Sequence, residues 1–400
     1  MPSMTRRHFS HLLASAPVLA MAPPAKHGMD PARLARIPER MKSFVDRSTV
    51  AGVVTLVQRH GQVAALDAVG WQDIENKKPM RPDTIFQIAS MTKPVTGTAV
   101  AILAEEGRLG FSDPVEKHLP EFRGMWVADI AGPDQRTLRK PTRPITIRDL
   151  MTHTSGMGGD YPPALADVME KGNRTLAEVV LISSQQPLTS QPGTKYLYSN
   201  MGINTLGRIV EVIADQPFDK FTESRIFQPL GMRDTFFYPT PDKFDRIAVI
   251  YESKGGKLIP SEIDRFRRNY RFTRASGGLF STASDMAAFY QMTLNGGTLG
   301  GKRVLSKSAV EVMTAVHTGD IPIGGRTDVG WGLTWQVVKG AGATLDGQSI
   351  GSYGHESGNG TRGWIDPKKD LVGVFMIQRR GGNADEVTAF MEMAAAAVEA

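Results

Sequence analysis

The sequence predicts a mixed α/β (α+β) fold: one mostly antiparallel sheet built from both ends of the chain, covered by the two terminal helices, with a helical sub-domain inserted between them. Three observations carry that expectation. Strand-type runs gather at the two ends of the 400 residues, and helical patterns fill the middle. The first two strand runs, Gly52–Arg59 and Gln62–Val69, are joined by His60-Gly61, which is a hairpin signal. A chain of 400 residues also exceeds the size at which one core keeps growing, so two sub-domains are the default. The expected division assigns 30–105 and 325–400 to the sheet and 106–324 to the helical part.

In chain order, residues 30–47 read as a helix with Leu34, Ile37, Met41 and Phe44 on one face. The hairpin follows. A short apolar run then leads to a polar break at Ser90, and an amphipathic helix begins, with Val95, Ala99, Val100 and Leu103 at helical spacing. Asp113-Pro114 through Leu119-Pro120 is a turn and a short helix, and 122–146 is a loop without a clear period. Thr146 caps a short helix that runs to Met151, and His153 organises the loop after it through hydrogen bonds. Further helices cover Leu176–Ser183, 201–214 and Asp285–Leu294. Four β-type runs then appear: Gly332–Val338, Ile350–His355, Gly360–Ile365 and Leu371–Gln378. A helix over 384–398 closes the chain.

Composition narrows the function. Hydrophobic content of 41% and charged content of 22% are those of an ordinary globular protein. The net charge of +6 is scattered, the densest group being Arg265, Arg267 and Arg268, so no nucleic-acid footprint is expected. The absence of cysteine excludes disulfides, thiolate metal sites, a cysteine nucleophile and a lipoprotein anchor. No metal or other cofactor is expected. Thr5-Arg6-Arg7-His8-Phe9 followed by the short apolar stretch Leu12–Ala22 resembles a bacterial twin-arginine signal, with cleavage expected after Ala20. Residues 1–20 are therefore expected to be removed, leaving a periplasmic or secreted protein with no membrane anchor.

Three stretches carry chemistry. Ser90-Met91-Thr92-Lys93 places a serine at a helix N-terminus, where the macrodipole favours an oxyanion, and a lysine three residues on over the same face. A neutral amine there takes the hydroxyl proton. Tyr198-Ser199-Asn200 stands directly before a helix. Its tyrosine suits proton transfer to a leaving group if a nearby ammonium lowers its pKa, and Asn200 suits steadying Lys93 and a substrate carbonyl. Gly354-His355-Glu356-Ser357-Gly358-Asn359-Gly360 is a glycine-dense strand edge that a substrate can approach closely, and the Gly358 N–H suits an oxyanion hole with that of Ser90.

S-x-x-K, Y-x-N and an edge strand, in that order, resemble the serine β-lactamase and penicillin-binding-protein superfamily, closest to class C β-lactamases and the related family VIII carboxylesterases. Asp149–Gly156, Pro229–Met232, Ser276–Thr282 and Gly330–Leu333 share the likeness, which spans about residues 30–398. The resemblance implies the β-lactamase/transpeptidase-like fold. It implies Ser90 as acylated nucleophile, Lys93 and Tyr198 sharing acid–base work, Asn200 as orienter, and an acyl-enzyme that water then hydrolyses. The chain departs from the family at its third motif, where K-T-G is replaced by His355-Glu356-Ser357. A histidine is mostly neutral at pH 7, and Ser357 narrows the edge, so the fixed anchor for a substrate carboxylate is lost. Arg362 is the candidate to restore it.

No G-x-S-x-G elbow, H-E-x-x-H or G-x-x-x-x-G-K-[ST] loop occurs. The expected function is a serine hydrolase acting on a small-molecule ester or amide, with carboxylesterase preferred and β-lactamase, D-aminopeptidase or D-Ala-D-Ala carboxypeptidase activity as variants. The expectation from another class is a non-catalytic binder of cell-wall fragments on the same fold.

Overall fold

The structure, a computed structural model, describes residues 27–130, 136–159, 172–381 and 385–399. The expected signal segment, residues 1–20, lies outside them. Eight strands form the main sheet: β1 (Gly52–Arg59), β2 (Gln62–Asp73), β3 (Lys78–Pro79), β4 (Val329–Trp331), β5 (Gln336–Val338), β6 (Tyr353–Glu356), β7 (Arg362–Asp366) and β8 (Leu371–Met376). Their spatial order is β4-β5-β6-β7-β8-β1-β2-β3, with every neighbouring pair antiparallel. The two ends of the chain meet at the β1–β8 ladder, where Val54 faces Met376 and Arg59 faces Leu371.

Both faces of the sheet are covered, so its central strands are apolar on alternate residues in both directions. On the outer face Val53, Val57, Leu371 and Phe375 pack with Ile37, Met41 and Phe44 of α1 (Arg36–Asp46). Phe390 and Met391 of the C-terminal helix Asp385–Ala396 complete this layer. Here the two ends of the described residues lie together, with Met29 bridging Val398 and Asp30 N–H donating to the Ala397 carbonyl at 2.8 Å. On the inner face Val54, Leu56, Val372, Val374 and Met376 join the larger core. That core includes α2 (Thr92–Glu105), α3 (Ile147–Met151), α4 (Asn200–Ala214) and α5 (Ala283–Leu294). Burying one such Val, Leu or Phe contributes about 1.5–3 kcal/mol, so the layers hold chiefly by the hydrophobic effect.

Several local expectations change. α2 is not amphipathic: every residue from Thr92 to Leu103 is buried, because α4 and α5 share its core and β4–β5 reach it from the other side. Its approach to the β4–β5 connection needs Gly97, since a Cβ there would sit 2.0 Å from Thr334 Oγ1. The run Gly332–Val338 is not one strand. Gly332 N–H donates to the Trp335 carbonyl across a turn in which Thr334 has φ +70°, which separates β4 from β5. The loop 122–146 contains a hairpin, Val127–Ile130 with Arg136–Arg139, whose exposed Leu138 and flanking arginines hid its strand character. The middle of the chain is not wholly helical either, because Tyr251–Lys254 and Lys257–Pro260 form a hairpin extended in parallel by Arg379–Arg380. α5, placed by sequence in the helical part, packs on β8, β1 and β7.

One polar cluster fixes the loops that reach the site. Thr146 caps α3 through a reciprocal capping box with Asp149. Asp149 is buried, which alone would raise its pKa. The Arg143 guanidinium, at 2.5 and 2.9 Å, and the Thr146 N–H and hydroxyl overrule that and hold it below the usual carboxylate range. The loop after α3 then carries the segment leading to α4: Gly193 N–H donates to the Thr154 carbonyl at 2.7 Å, and Leu197 N–H to the His153 carbonyl at 2.8 Å. Asp149→Ala leaves Arg143 and the cap without their acceptor and is expected to lower the unfolding free energy by about 3 kcal/mol. Urea unfolding followed by circular dichroism measures this, and a loss near zero would contradict the cluster's role.

Candidate active site

Ser90 lies in a 3-10 turn, Ala89–Met91, immediately ahead of α2. Its neighbour Ala89 has φ +41°, a left-handed conformation that costs an alanine about 1 kcal/mol and turns the chain sharply before the helix. The turn is pinned from two sides. Ile88 N–H donates to the Leu279 carbonyl at 3.0 Å, and Leu279 N–H donates to Thr92 Oγ1 at 3.1 Å. From the β6–β7 connection, Asn359 Nδ2 donates to the Gln87 carbonyl at 3.1 Å, and Thr361 Oγ1 to that of Ile88 at 3.4 Å.

Lys93, one turn on, is fully buried. Its Nζ donates to Asn200 Oδ1 at 2.9 Å and to the Ser276 carbonyl at 2.7 Å, and lies 3.2 Å from Ser90 Oγ. The first two partners are acceptors only, so they claim hydrogens. The direction facing Ser90 is then a donor when the group is an ammonium and a lone pair when it is an amine. Asn200 is the first residue of α4, and Ser199 before it caps that helix by accepting from Gly202 N–H at 3.0 Å. The cap and the Lys93 contact are thus made by adjacent residues of one motif.

Tyr198 completes the group by a hydrogen bond between its hydroxyl and Ser90. The expectation that an ammonium lowers its pKa is corrected. Burial dominates and raises it well above the usual tyrosine range, against the Ser90 hydrogen bond and the more distant Arg274. Lys93 Nζ sits over the Tyr198 ring, 4.6 Å from its centroid, a cation–π placement. Behind Tyr198 stacks His153, with centroids 4.4 Å apart, and its Nδ1 accepts from Ser199 N–H at 3.0 Å. Burial, then the charge of Lys93, drives the His153 pKa well down, so it is a neutral positioning group, as the sequence led one to expect.

The β6 strand supplies the opposite wall. His355 is 4% exposed and donates Nδ1–H to the Glu356 carbonyl at 2.7 Å. Burial and the charge of Lys93 push its pKa down to about 3, so the ring is neutral. Ser357 Oγ accepts from the N–H groups of Asn359 and Thr361, both at 3.2 Å, and thereby shapes the turn. Gly358 is exposed at the cavity edge with nothing near its Cβ position. The cavity, about 460 Å³, is lined by Ser90, Tyr198, Trp331, His355, Ser357 and Gly358, with Tyr196, Gln336 and Glu356 at its margins. A larger one of about 840 Å³ near Phe227, Met232 and Phe237 shares none of these residues.

Seven expected residues therefore converge: Ser90, Lys93, Tyr198, Asn200, His355, Ser357 and Gly358. Arg362 does not join them. It faces Glu356 across the β6–β7 ladder, on the outer face of the sheet, with Glu356 Oε2 at 3.4 Å and Asp346 Oδ2 at 3.9 Å. Successive strand residues point to opposite faces, so the face that carries His355 is closed to Arg362. Sequence reasoning missed five participants. The Ser276 carbonyl holds Lys93, and Tyr196, Trp331, Gln336 and Glu356 border the cavity. Tyr196 shares its strand-like face with Tyr198, a spacing that pointed to it.

Comparison with known proteins gives the family and the fold. A Mycobacterium tuberculosis protein named "Uncharacterized protein MT1414" is 34% identical over 364 residues, covering 84% of this chain and 88% of its own. A Salmonella enteritidis protein named "Putative D-alanyl-D-alanine carboxypeptidase" is 27% identical over 394 residues, covering 91% and 86%. Among solved structures, EstCE1, titled a hydrolase with promiscuous acyltransferase activity, superposes with a TM-score of 0.78 at 24% identity, covering 91% of this chain and 99% of its own, which shows the fold. The model of the Beta-lactamase family matches residues 37–398, nearly the whole described chain, and the protein belongs to that family.

Proposed function

We propose that this protein is a serine hydrolase that works through an acyl-enzyme at Ser90, and that its substrates are small carboxylic esters. The observation that carries the reading is the placement of Lys93 Nζ 3.2 Å from Ser90 Oγ, oriented by Asn200 Oδ1 and the Ser276 carbonyl. In the amine form of Lys93, the Ser90 proton moves to Nζ as Oγ attacks the carbonyl carbon. The resulting oxyanion lies toward the N–H groups of Ser90 and Gly358. Tyr198, kept protonated by burial, gives its proton to the departing alkoxide and is reprotonated from Lys93. Water then attacks the acyl carbon by the reverse proton route, releasing the acid.

The preference for uncharged esters rests on the β6 strand. β-Lactams and peptidoglycan stems carry a carboxylate, whereas His355 is neutral and Arg362 faces the other side of the sheet. The name of the Salmonella relative favours the carboxypeptidase reading as the second choice. The paired arginines Arg6-Arg7 support a reaction outside the cytoplasm.

Two experiments test it. Purified protein should hydrolyse p-nitrophenyl butyrate, and Ser90→Ala should lower kcat by at least about a thousandfold, with little nitrocefin cleavage by either. A serine-directed phosphonate should label Ser90. Strong nitrocefin turnover would move the lactamase reading ahead, and no turnover or labelling would leave the binder of cell-wall fragments. The second experiment concerns pH. The folded pKa of His355, about 3, lies below the unfolded value of 6.5, so the unfolded chain binds the extra proton between them. Stability is therefore fully present above about pH 6.5 and falls as the pH drops toward 3, by up to about 1.4 kcal/mol per unit for each such histidine. Urea midpoints at pH 7 and pH 5 should differ in that direction, and the difference should shrink in His355→Phe. An unchanged difference would show that His355 is not buried neutral.

A further inference from the structure

Among the described residues that line the Ser90 cavity, one is charged, and its charge is negative: Glu356. Its side chain is 64% exposed. β5 begins at Gln336, opposite Gly354, so Glu356 stands past the last paired residue on that side of β6, where the strand edge is open. The same residue also borders two smaller hollows, of about 130 and 300 Å³, beside the cavity. Its charge reaches the reacting group. Burial does most to raise the pKa values of Tyr196 and Tyr198, and the Glu356 carboxylate adds to the rise at both. Tyr198 is the residue whose hydroxyl is bonded to Ser90.

The carboxylate is open to a ligand. Its one ion pair among the described residues is with Arg362, at 3.4 Å, and Arg362 divides itself between Glu356 and Asp346, the latter at 3.9 Å. Glu356 Oε1 has no partner among the described residues. An exposed pair of this length holds its members weakly, so a second cation competes with Arg362 for Glu356. Lys93 and Arg274, whose charges also reach this group, are not among the residues lining the cavity. The neighbouring wall suits a cation as well. Tyr196, Tyr198 and Trp331 line it, with the Trp331 ring 5.3 and 6.1 Å from the two tyrosine rings between centroids, and aromatic rings attract ammonium groups. We infer that this site takes esters carrying an ammonium group, held by Glu356 at the open edge of β6 while Ser90 attacks the ester carbonyl. The esterase reading sets uncharged esters above anionic ones; this inference sets cationic esters above both, and it rests on that reading. The ammonium takes no part in bond making, and acyl transfer to Ser90 proceeds as already described.

The test uses matched pairs of esters in which a quaternary nitrogen replaces a quaternary carbon. On the acyl side, p-nitrophenyl 4-(trimethylammonio)butyrate is set against p-nitrophenyl 5,5-dimethylhexanoate. On the alcohol side, butyrylcholine is set against 3,3-dimethylbutyl butyrate. The expected result is a kcat/KM at least tenfold higher for the cationic member of one pair, a ratio that should fall toward unity in Glu356→Gln and be partly kept in Glu356→Asp. In the unmodified protein the ratio should also shrink as salt rises from about 0.01 M to about 1 M, because an exposed carboxylate is screened. Equal turnover within both pairs, a preference for the neutral members, or turnover of p-nitrophenyl butyrate alone overturns the cation assignment and leaves the esterase reading standing. A cationic preference that survives Glu356→Gln, or that salt leaves unchanged, overturns the role of Glu356. Failure to turn over any of these esters, p-nitrophenyl butyrate included, defeats the esterase reading itself. The salt series decides the matter even if a variant does not fold.

Discussion

A lysine with no exposed surface needs a reason to be inside, and the positions of three distant chain segments supply it. Taking an ammonium out of water costs several kcal/mol unless oxygens replace the lost hydration. Lys93 finds those oxygens on Ser90, on Asn200 at the start of α4, and on the backbone of Ser276. Drift of any of the three takes from the buried nitrogen one of the oxygens that solvate it. The hydrophobic layers bring α2, α4 and the 276–279 segment into contact, and the buried nitrogen sets their register. The reactive geometry is in this sense a by-product of satisfying one side chain.

The second determinant is the parity of a strand. β6 presents Tyr353 and His355 to the inner core, while Glu356 faces Arg362 on the outer side. His355 is a ring that burial keeps uncharged, and Arg362 is spent in an ion-pair cluster on the other face of the sheet. What remains on the cavity wall is largely aromatic, with Glu356 as its one charged lining residue. Tyr196, Tyr198, Trp331 and His355 form a continuous aromatic surface there.

Ser90 and Lys93 were legible because three residues along a helix fix their proximity locally, whatever the rest of the chain does. Tyr198 and Asn200 were legible through the helix that begins beside them. The sheet built from both chain ends followed from where apolar alternation occurs. Ser276 was not legible as a ligand, because the acceptor is a carbonyl that any residue would supply. Arg362 was misplaced because its face depends on the length of the 357–361 connection, and one residue more or less exchanges inside for outside. The Tyr198 expectation failed on burial, which raises its pKa and which no local spacing reveals. Trp331 resembles core until the cavity beside it is known.

The meeting of Met29 with Val398 on the outer layer has a practical side. The Ser90 cavity opens from the inner side of the sheet, and both ends of the described chain lie against the helices of the other. Met29 and Val398 both belong to the layer on the outer face of the sheet, across it from the face that carries His355. A purification handle, a surface tether or a fused partner domain can be fitted at either end without standing in the doorway through which substrate enters. With the ends this close, a short bridge would also close the chain into a ring and allow new ends to be cut at an exposed tip such as Gly255-Gly256.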